Sequence, residues 1–222
     1  MSRDTMDLSS ASSSAYEGVL HYHSLWAKEY DRRWACILNR THMEALKELA
    51  PRPSERVLDV GCGTGALTLL VAKRLNGLGE IVGVDLCEEM LKVARERLGA
   101  LPHVSVVCSP IETVDLSPSS FDAALGINVQ LYLEDPVLAW RKIESLLKPK
   151  GRLVLISPWQ EPFPISWLCN FFRRYIDPAH KRLYGLKETV RSIQTAGLVP
   201  VSQRLFHLRG CTFAYAIQAQ KP

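Results

Sequence analysis

VLDVGCGTGALTL, residues 57–69, is an apolar run that halts at a carboxylate, Asp59, and then breaks into glycines at 61, 63 and 65 before a helical pattern begins. Strand, glycine turn and helix in that order bring backbone N–H groups and a helix N-terminus to the carboxyl end of a strand, where open α/β sheets bind their ligands. Gly61, Gly63 and Ala66 satisfy the relaxed dinucleotide pattern G-x-G-x-x-G/A, so the glycines by themselves do not choose a ligand. Asp59 does. A carboxylate at the strand tip repels phosphate and favours an ammonium group.

On either side of this turn the pattern is that of a doubly wound sheet. Continuous β-branched runs predict strands covered on both faces at Arg56–Val60, Ile81–Asp85, Val104–Cys108, Phe121–Ile127 and Arg152–Ser157. Helices are expected between them at about 64–75, 88–98 and 136–147. Asp135-Pro136 supplies an N-cap and a proline at the first helical position, and KPKG at 148–151 reads as the close of that helix. A helix over Lys187–Thr195 then leads to two runs, Val199–His207 and Cys211–Gln218, whose short separation requires an antiparallel hairpin. The expected fold class is therefore α/β: a Rossmann-like seven-stranded sheet, mostly parallel, with a C-terminal antiparallel hairpin and helices on both faces.

Upstream, Leu25, Trp26, Tyr30, Trp34, Ile37, Leu38, Met43, Leu46 and Leu49 recur at helical spacing between Tyr16 and Ala50. At 222 residues and 47% hydrophobic the chain encloses one substantial core and leaves little room for a second. The organisation read from it is a serine-rich disordered lead-in (1–15) and one domain (16–222). That domain divides into an N-terminal helical lid (16–50), a cofactor-binding core (51–157), an aromatic substrate-covering insertion (158–186), and a C-terminal helix and hairpin (187–222). No run reaches the ~18 apolar residues of a membrane span, and the N-terminus lacks the apolar region of an export signal, so a cytoplasmic protein with no integral membrane association is expected. Residues 112–222 carry 14 Lys/Arg against 9 Asp/Glu, too thin a surplus for the basic stripe of a nucleic-acid binder. Cys36, Cys62, Cys87, Cys108, Cys169 and Cys211 form no C-x-x-C pair and read as reduced thiols, mostly in the core, and no metal site is expected. His21-x-His23 is half a metal site at most and is read as part of a surface helix.

The second strand ends at Asp85, placed to accept hydrogen bonds from both hydroxyls of a ribose. A ligand with a ribose, a nearby amine and no phosphate is S-adenosylmethionine. VLDVGCGTG with GVDLCEEML, followed by FDAALGINVQLYLEDP and LLKPKGRLVLISP, resembles the class I S-adenosylmethionine-dependent methyltransferases over about residues 20–160, nearest to the ubiquinone and menaquinone biosynthesis branch.

The resemblance implies roles residue by residue. Asp59, Gly61, Cys62 and Gly63 line the methionine end of the cofactor, with Thr68 one turn into the next helix. Asp85 holds the ribose, while Leu86 and Met90 pack on the adenine. Ser109 and Pro110 stand where the family carries an Asp-Ala pair at the adenine amino group, a departure from the pattern. Ile127 presents its backbone carbonyl, and Tyr30 in AKEYDRRW matches a tyrosine that closes over the methionine carboxylate. Plainer readings stand beside these: Gly61 and Gly63 suit a bare tight turn, Asp85 a helix cap, Met90, Tyr30 and Trp34 core packing, and Cys62 a small turn residue.

The expected reaction is transfer of a methyl group to a small, lipophilic or aromatic metabolite, with O- or C-methylation favoured. The acceptor pocket is expected between the N-terminal helices, the loop after the fourth strand and residues 160–185, lined by Trp159, Phe163, Trp167, Phe171, Phe172 and Tyr175. Tyr132, His180 and His207 are the candidate bases, with no catalytic residue assigned, and Arg173 and Arg174 are candidate partners for an anionic group. The rivals are an S-adenosylmethionine-binding protein that transfers no methyl, an RNA or protein methyltransferase, and a nicotinamide-dependent oxidoreductase.

Overall fold

The computed structural model describes residues 16–159, 179, 182–209 and 212–222. The lead-in at 1–15, the aromatics at 163–175, Arg173, Arg174, His180, Cys169 and Cys211 lie outside them. The chain runs α1 (Glu17–Trp26), α2 (Tyr30–Leu49), β1 (Arg56–Val60), α3 (Ala66–Leu75), β2 (Glu80–Asp85), α4 (Glu88–Leu98), β3 (Val104–Cys108) and β4 (Phe121–Ile127). A 3-10 turn (Gln130–Tyr132), α5 (Pro136–Leu146), β5 (Leu147–Pro158), α6 (Leu186–Thr195), β6 (Val199–Arg209) and β7 (Thr212–Gln220) complete it.

One seven-stranded sheet has the order β3-β2-β1-β4-β5-β7-β6, with β1 to β5 parallel and β7 inserted antiparallel between β5 and β6. The chain reverses direction across the sheet at β1, whose neighbours are β2 and β4, so a crevice opens at the β1 and β4 tips. Alternate residues of β1 feed opposite cores. Leu58 and Val60 pack with Trp140, Ile143 and Ile193 of α5 and α6, while Val57 packs with Ala45, Leu49, Val71 and Leu75 of α2 and α3. No described helix is long and apolar enough to cross a membrane.

The N-terminal helical stretch is two helices, with a break at residues 27–29: the first packs on α4 and the second on the sheet. Three local expectations are corrected. β5 begins at Leu147, five residues before the expected start, so KPKG is strand and not helix end. The cation that meets the α5 terminus is Lys221, whose Nζ donates to the Glu144 carbonyl at 2.9 Å, while Lys148 pairs with Asp122 at 2.7 Å. Cys36 and Cys108 are exposed thiols; Cys62 and Cys87 are buried. The N-cap of α5 forms as expected, Asp135 Oδ1 accepting from the Val137 N–H at 2.8 Å.

The turn after β4 is anchored from behind. Gln130, fully buried, donates through Nε2 to Thr189 Oγ1 at 3.0 Å and accepts from the Tyr215 hydroxyl at 3.2 Å. This network ties the turn to α6 and β7, and it holds Asn128 to Tyr132 at the crevice.

Candidate active site

The glycine turn rises from β1 because only glycine accepts its backbone conformation cheaply: Gly61, Gly63 and Gly65 have φ of +69°, +54° and +73°. Space decides too. A Cβ on Gly61 would stand 2.8 Å from Val129 Cγ2. The turn's amides are already engaged, since the N–H groups of Gly61 and Cys62 both donate to the Val84 carbonyl, at 2.8 and 3.2 Å, and that of Gly63 donates to Asp85 Oδ2 at 2.9 Å. A pyrophosphate needs those donors, and here they are spent inside the protein.

Asp85 also accepts from the Cys87 N–H at 2.9 Å through Oδ1, so one carboxylate pins the turn to the start of α4. Asp59, 2% exposed, accepts a hydrogen bond from the Thr68 hydroxyl at 2.7 Å. Burial raises the Asp59 pKa to about 6, with Thr68 opposing and Asp85 adding to the shift. Burial likewise raises Asp85, against the pull of the Cys87 and Gly63 N–H groups. Two acids held side by side with raised pKa values gain by receiving a positive charge. Burial pushes the Cys62 thiol far up, which keeps it protonated and no nucleophile.

These groups open on one crevice of about 970 Å³ that is continuous with solvent. Of the residues singled out from the sequence, Tyr30, Asp59, Gly61, Cys62, Gly63, Asp85, Leu86, Met90, Ser109, Pro110 and Ile127 all line it. Thr68 does not; it is fully buried behind the wall and acts on Asp59. Trp159 packs on the sheet's core and edge-on against Phe213, and His207 is exposed on β6 beside the same ring. His23, read as a surface residue, is buried in the crevice wall, because α1 turns that face inward: its ring stacks edge-on to Tyr132 at 4.9 Å and its Nδ1 bonds the Val19 carbonyl at 2.8 Å.

Several lining residues carried no signal in the sequence. Tyr16 donates to Glu112 Oε1 at 2.7 Å, binding the start of α1 to the segment after β3. Arg97 of α4 donates to the Thr64 carbonyl at 2.8 Å and to its hydroxyl at 2.7 Å, and also pairs with Asp31, which accepts from Thr64 Oγ1 at 2.7 Å. His42 faces the same space, and burial holds its pKa down at about 4, so it is neutral at pH 7. Contacts of this kind join segments tens of residues apart, and no local motif encodes them.

Beside the crevice lies a second, shallow hollow open to solvent, lined by Tyr30, Trp34, Ile37, Leu38, Asn128, Leu131, Tyr132 and Pro158. Tyr30, Leu38, Asn128 and Tyr132 belong to both walls. Asn128 is in the left-handed region (φ +58°), its N–H donating to the Ile156 carbonyl at 2.8 Å.

A β3-β2-β1-β4-β5-β7-β6 sheet with acids at the β1 and β2 tips defines a class I S-adenosylmethionine-dependent methyltransferase. Residues 51–196 match the family model described as a methyltransferase domain, and the chain belongs to that family. It is 25% identical over 204 residues to demethylmenaquinone methyltransferase of Staphylococcus aureus, covering 81% of this chain and 84% of that protein. It is 37% identical over 122 residues to an uncharacterized 37.1 kDa protein in transposon TN4556 of Streptomyces fradiae, a match that covers 55% of this chain and about a third (35%) of that relative's length. The solved structure of the YcgJ protein from Bacillus subtilis shares the fold, with a TM-score of 0.71 at 20% identity, over 82% of this chain and 98% of that one.

The cofactor is S-adenosylmethionine, and the crevice fits it: paired acids suit its cationic end, and the N–H groups of Gly61, Cys62 and Gly63 already have acceptors inside the protein.

Proposed function

We propose that this enzyme methylates a small lipophilic or aromatic metabolite, on oxygen or carbon, at the junction of the crevice and the hollow. The observation that carries the reading is the shared wall of Tyr30, Leu38, Asn128 and Tyr132, which sets a mostly apolar hollow directly against the acid-lined crevice. The Staphylococcus relative's name points to a quinone-derived ring, a substrate of the same character.

In this reading Asp59, Gly61, Cys62 and Gly63 hold the methionine end of the cofactor and Asp85 the ribose. Leu86, Met90, Ser109 and Pro110 flank the adenine, and Ile127 and Tyr30 complete the wall. Thr68 positions Asp59. When bound, S-adenosylmethionine would supply an electrophilic methyl group to the acceptor atom, whose proton would pass to solvent or to a base. The protein's work is to align the acceptor in line and keep water out. The helices α1 and α2 form the lid, latched by Asp31, Thr64 and Arg97. Residues 158–186 are assigned the acceptor's cover, and cytoplasmic action on a free metabolite follows from the same reading.

Incubation with methyl-labelled S-adenosylmethionine and a panel of quinols, phenols, amines and carboxylic acids, read by mass spectrometry, tests it. Label is expected on a quinol or phenol. Label found only on RNA or protein overturns the small-molecule reading.

A further inference from the structure

The crevice wall holds a basic side chain that cofactor binding leaves without a role. His23 of α1 is 7% exposed and lines the crevice. Its Nδ1 lies 2.8 Å from the Val19 carbonyl, one turn earlier on the same helix. A carbonyl only accepts, so in the neutral ring Nδ1 carries the proton and Nε2, on the opposite edge, keeps a lone pair. Nε2 has no hydrogen-bond partner among the described residues, and it is not one of the polar atoms sealed inside the protein without one. Its lone pair is therefore left for a molecule in the crevice. His42, a second imidazole on the same lining, is a much weaker base, because burial holds its pKa at about 4.

The position of His23 suits the acceptor rather than the adenine. Its ring meets Tyr132 edge-on at 4.9 Å between centres and Tyr30 at 5.7 Å. Both tyrosines belong to the wall shared by the crevice and the hollow, so the imidazole stands one side chain away from that junction. Tyr22, at 5.4 Å and edge-on, fixes the ring from its own helix. A proton taken up here also meets a counter-charge: a charged His23 favours the ionised form of Asp85, at the tip of β2.

Resting on the methyltransferase reading above, we propose that His23 is the general base of the reaction and that the acceptor carries a removable proton, as a phenol, quinol or enol does. The acceptor's O–H bond breaks as its proton passes to Nε2, the electron pair of that bond stays on the acceptor as its nucleophilic pair, and the imidazolium returns the proton to solvent after the product leaves. A tertiary amine or a thioether, with no such proton, gains nothing from this arrangement.

The test is a spectrophotometric titration of 4-nitrophenol with the full chain saturated with S-adenosylhomocysteine, in a buffer acidic enough to keep the free phenol protonated. Proton transfer to His23 is expected to raise the phenolate absorbance several-fold above that of the free probe. His23→Asn keeps a side-chain donor toward the Val19 carbonyl but has no basic nitrogen, and the rise is expected to vanish in it. Proton–nitrogen couplings in histidine labelled with nitrogen-15 give a second readout, expected to place the proton of neutral His23 on Nδ1. For whichever phenol or quinol takes the methyl label, His23→Asn is expected to lower kcat on the order of 10²-fold with little change in KM. S-Adenosylhomocysteine affinity, measured separately, reports folding and the cofactor assignment: its absence in the unmodified protein defeats the methyltransferase reading. With that affinity intact, no phenolate rise in the unmodified protein, a rise that persists in a folded His23→Asn, or a proton on Nε2 overturns the base assignment alone. If His23→Asn does not fold, the tautomer and the absorbance of the unmodified protein still decide.

Discussion

The Thr68 hydroxyl donates to Asp59 Oδ2 at 2.7 Å, joining the helix after the glycine turn to the carboxylate before it. Both side chains are buried, so no water replaces the bond if it is removed. Thr68→Val keeps the shape and deletes the donor. Stability is expected to fall by about 1 to 3 kcal/mol, with a melting midpoint lowered by about 2 to 4 °C for each kcal/mol in a chain of this size. S-Adenosylhomocysteine affinity is expected to weaken as well, though less than in Asp59→Asn, where about 1 to 3 kcal/mol of charge-assisted binding is lost. Thermal melts and calorimetry on both variants check this, and an unchanged midpoint in Thr68→Val refutes it.

Asp59 also sets a pH dependence. Its pKa lies at about 6 in the folded protein against a reference of 3.8. As pH rises, the unfolded chain loses this proton first, so the group's contribution to stability is present below about pH 4 and lost between about 4 and 6. Cofactor affinity moves the other way, rising through pH 6 as the acid ionises to meet the cationic end of the ligand. Titrations of S-adenosylmethionine from pH 5 to pH 7.5, expected to show this rise, should flatten in Asp59→Asn; a pH-independent affinity in the unmodified protein counts against the assignment.

The two turn glycines should not behave alike. Both have a positive φ, but Gly61→Ala also meets Val129 Cγ2 at 2.8 Å, whereas Gly63→Ala meets the flexible end of Met90 at 3.3 Å. Gly61→Ala is expected to abolish measurable S-adenosylhomocysteine binding, and Gly63→Ala to reduce it. The reverse order of effects would show that the close approach to Val129 does not shape the site.

Arg97 is the keystone of the contact between α2, the turn and α4. Arg97→Met keeps the aliphatic stem and removes the fork. Cofactor affinity is expected to drop on the order of fivefold, the equivalent of about 1 kcal/mol for a partly exposed pair. Hydrogen exchange over residues 17–33 should speed up in the same variant. Unaltered exchange there would mean that the lid is held elsewhere.

The chemistry at the strand tips was legible in the sequence because it is local. Asp59 and its glycines fall within seven residues, and Asp85 ends the next strand, so both acids reach the same end of a parallel sheet whatever the rest of the chain does. The α/β rhythm, the hairpin and the Asp135 cap were readable for the same reason: strand and helix periodicity and capping are short-range properties.

What only the tertiary structure decided are the contacts between distant segments. Thr68 stands behind the wall and not on it, His23 faces inward, Trp159 turns to the core, and Lys221 rather than KPKG meets the end of α5. The latch of Asp31, Thr64 and Arg97 likewise has no signature in sequence spacing. Local pattern says which face of an element is apolar, but whether a polar group on it finds a partner depends on the angle and height at which another element packs, and those are set by the whole core at once.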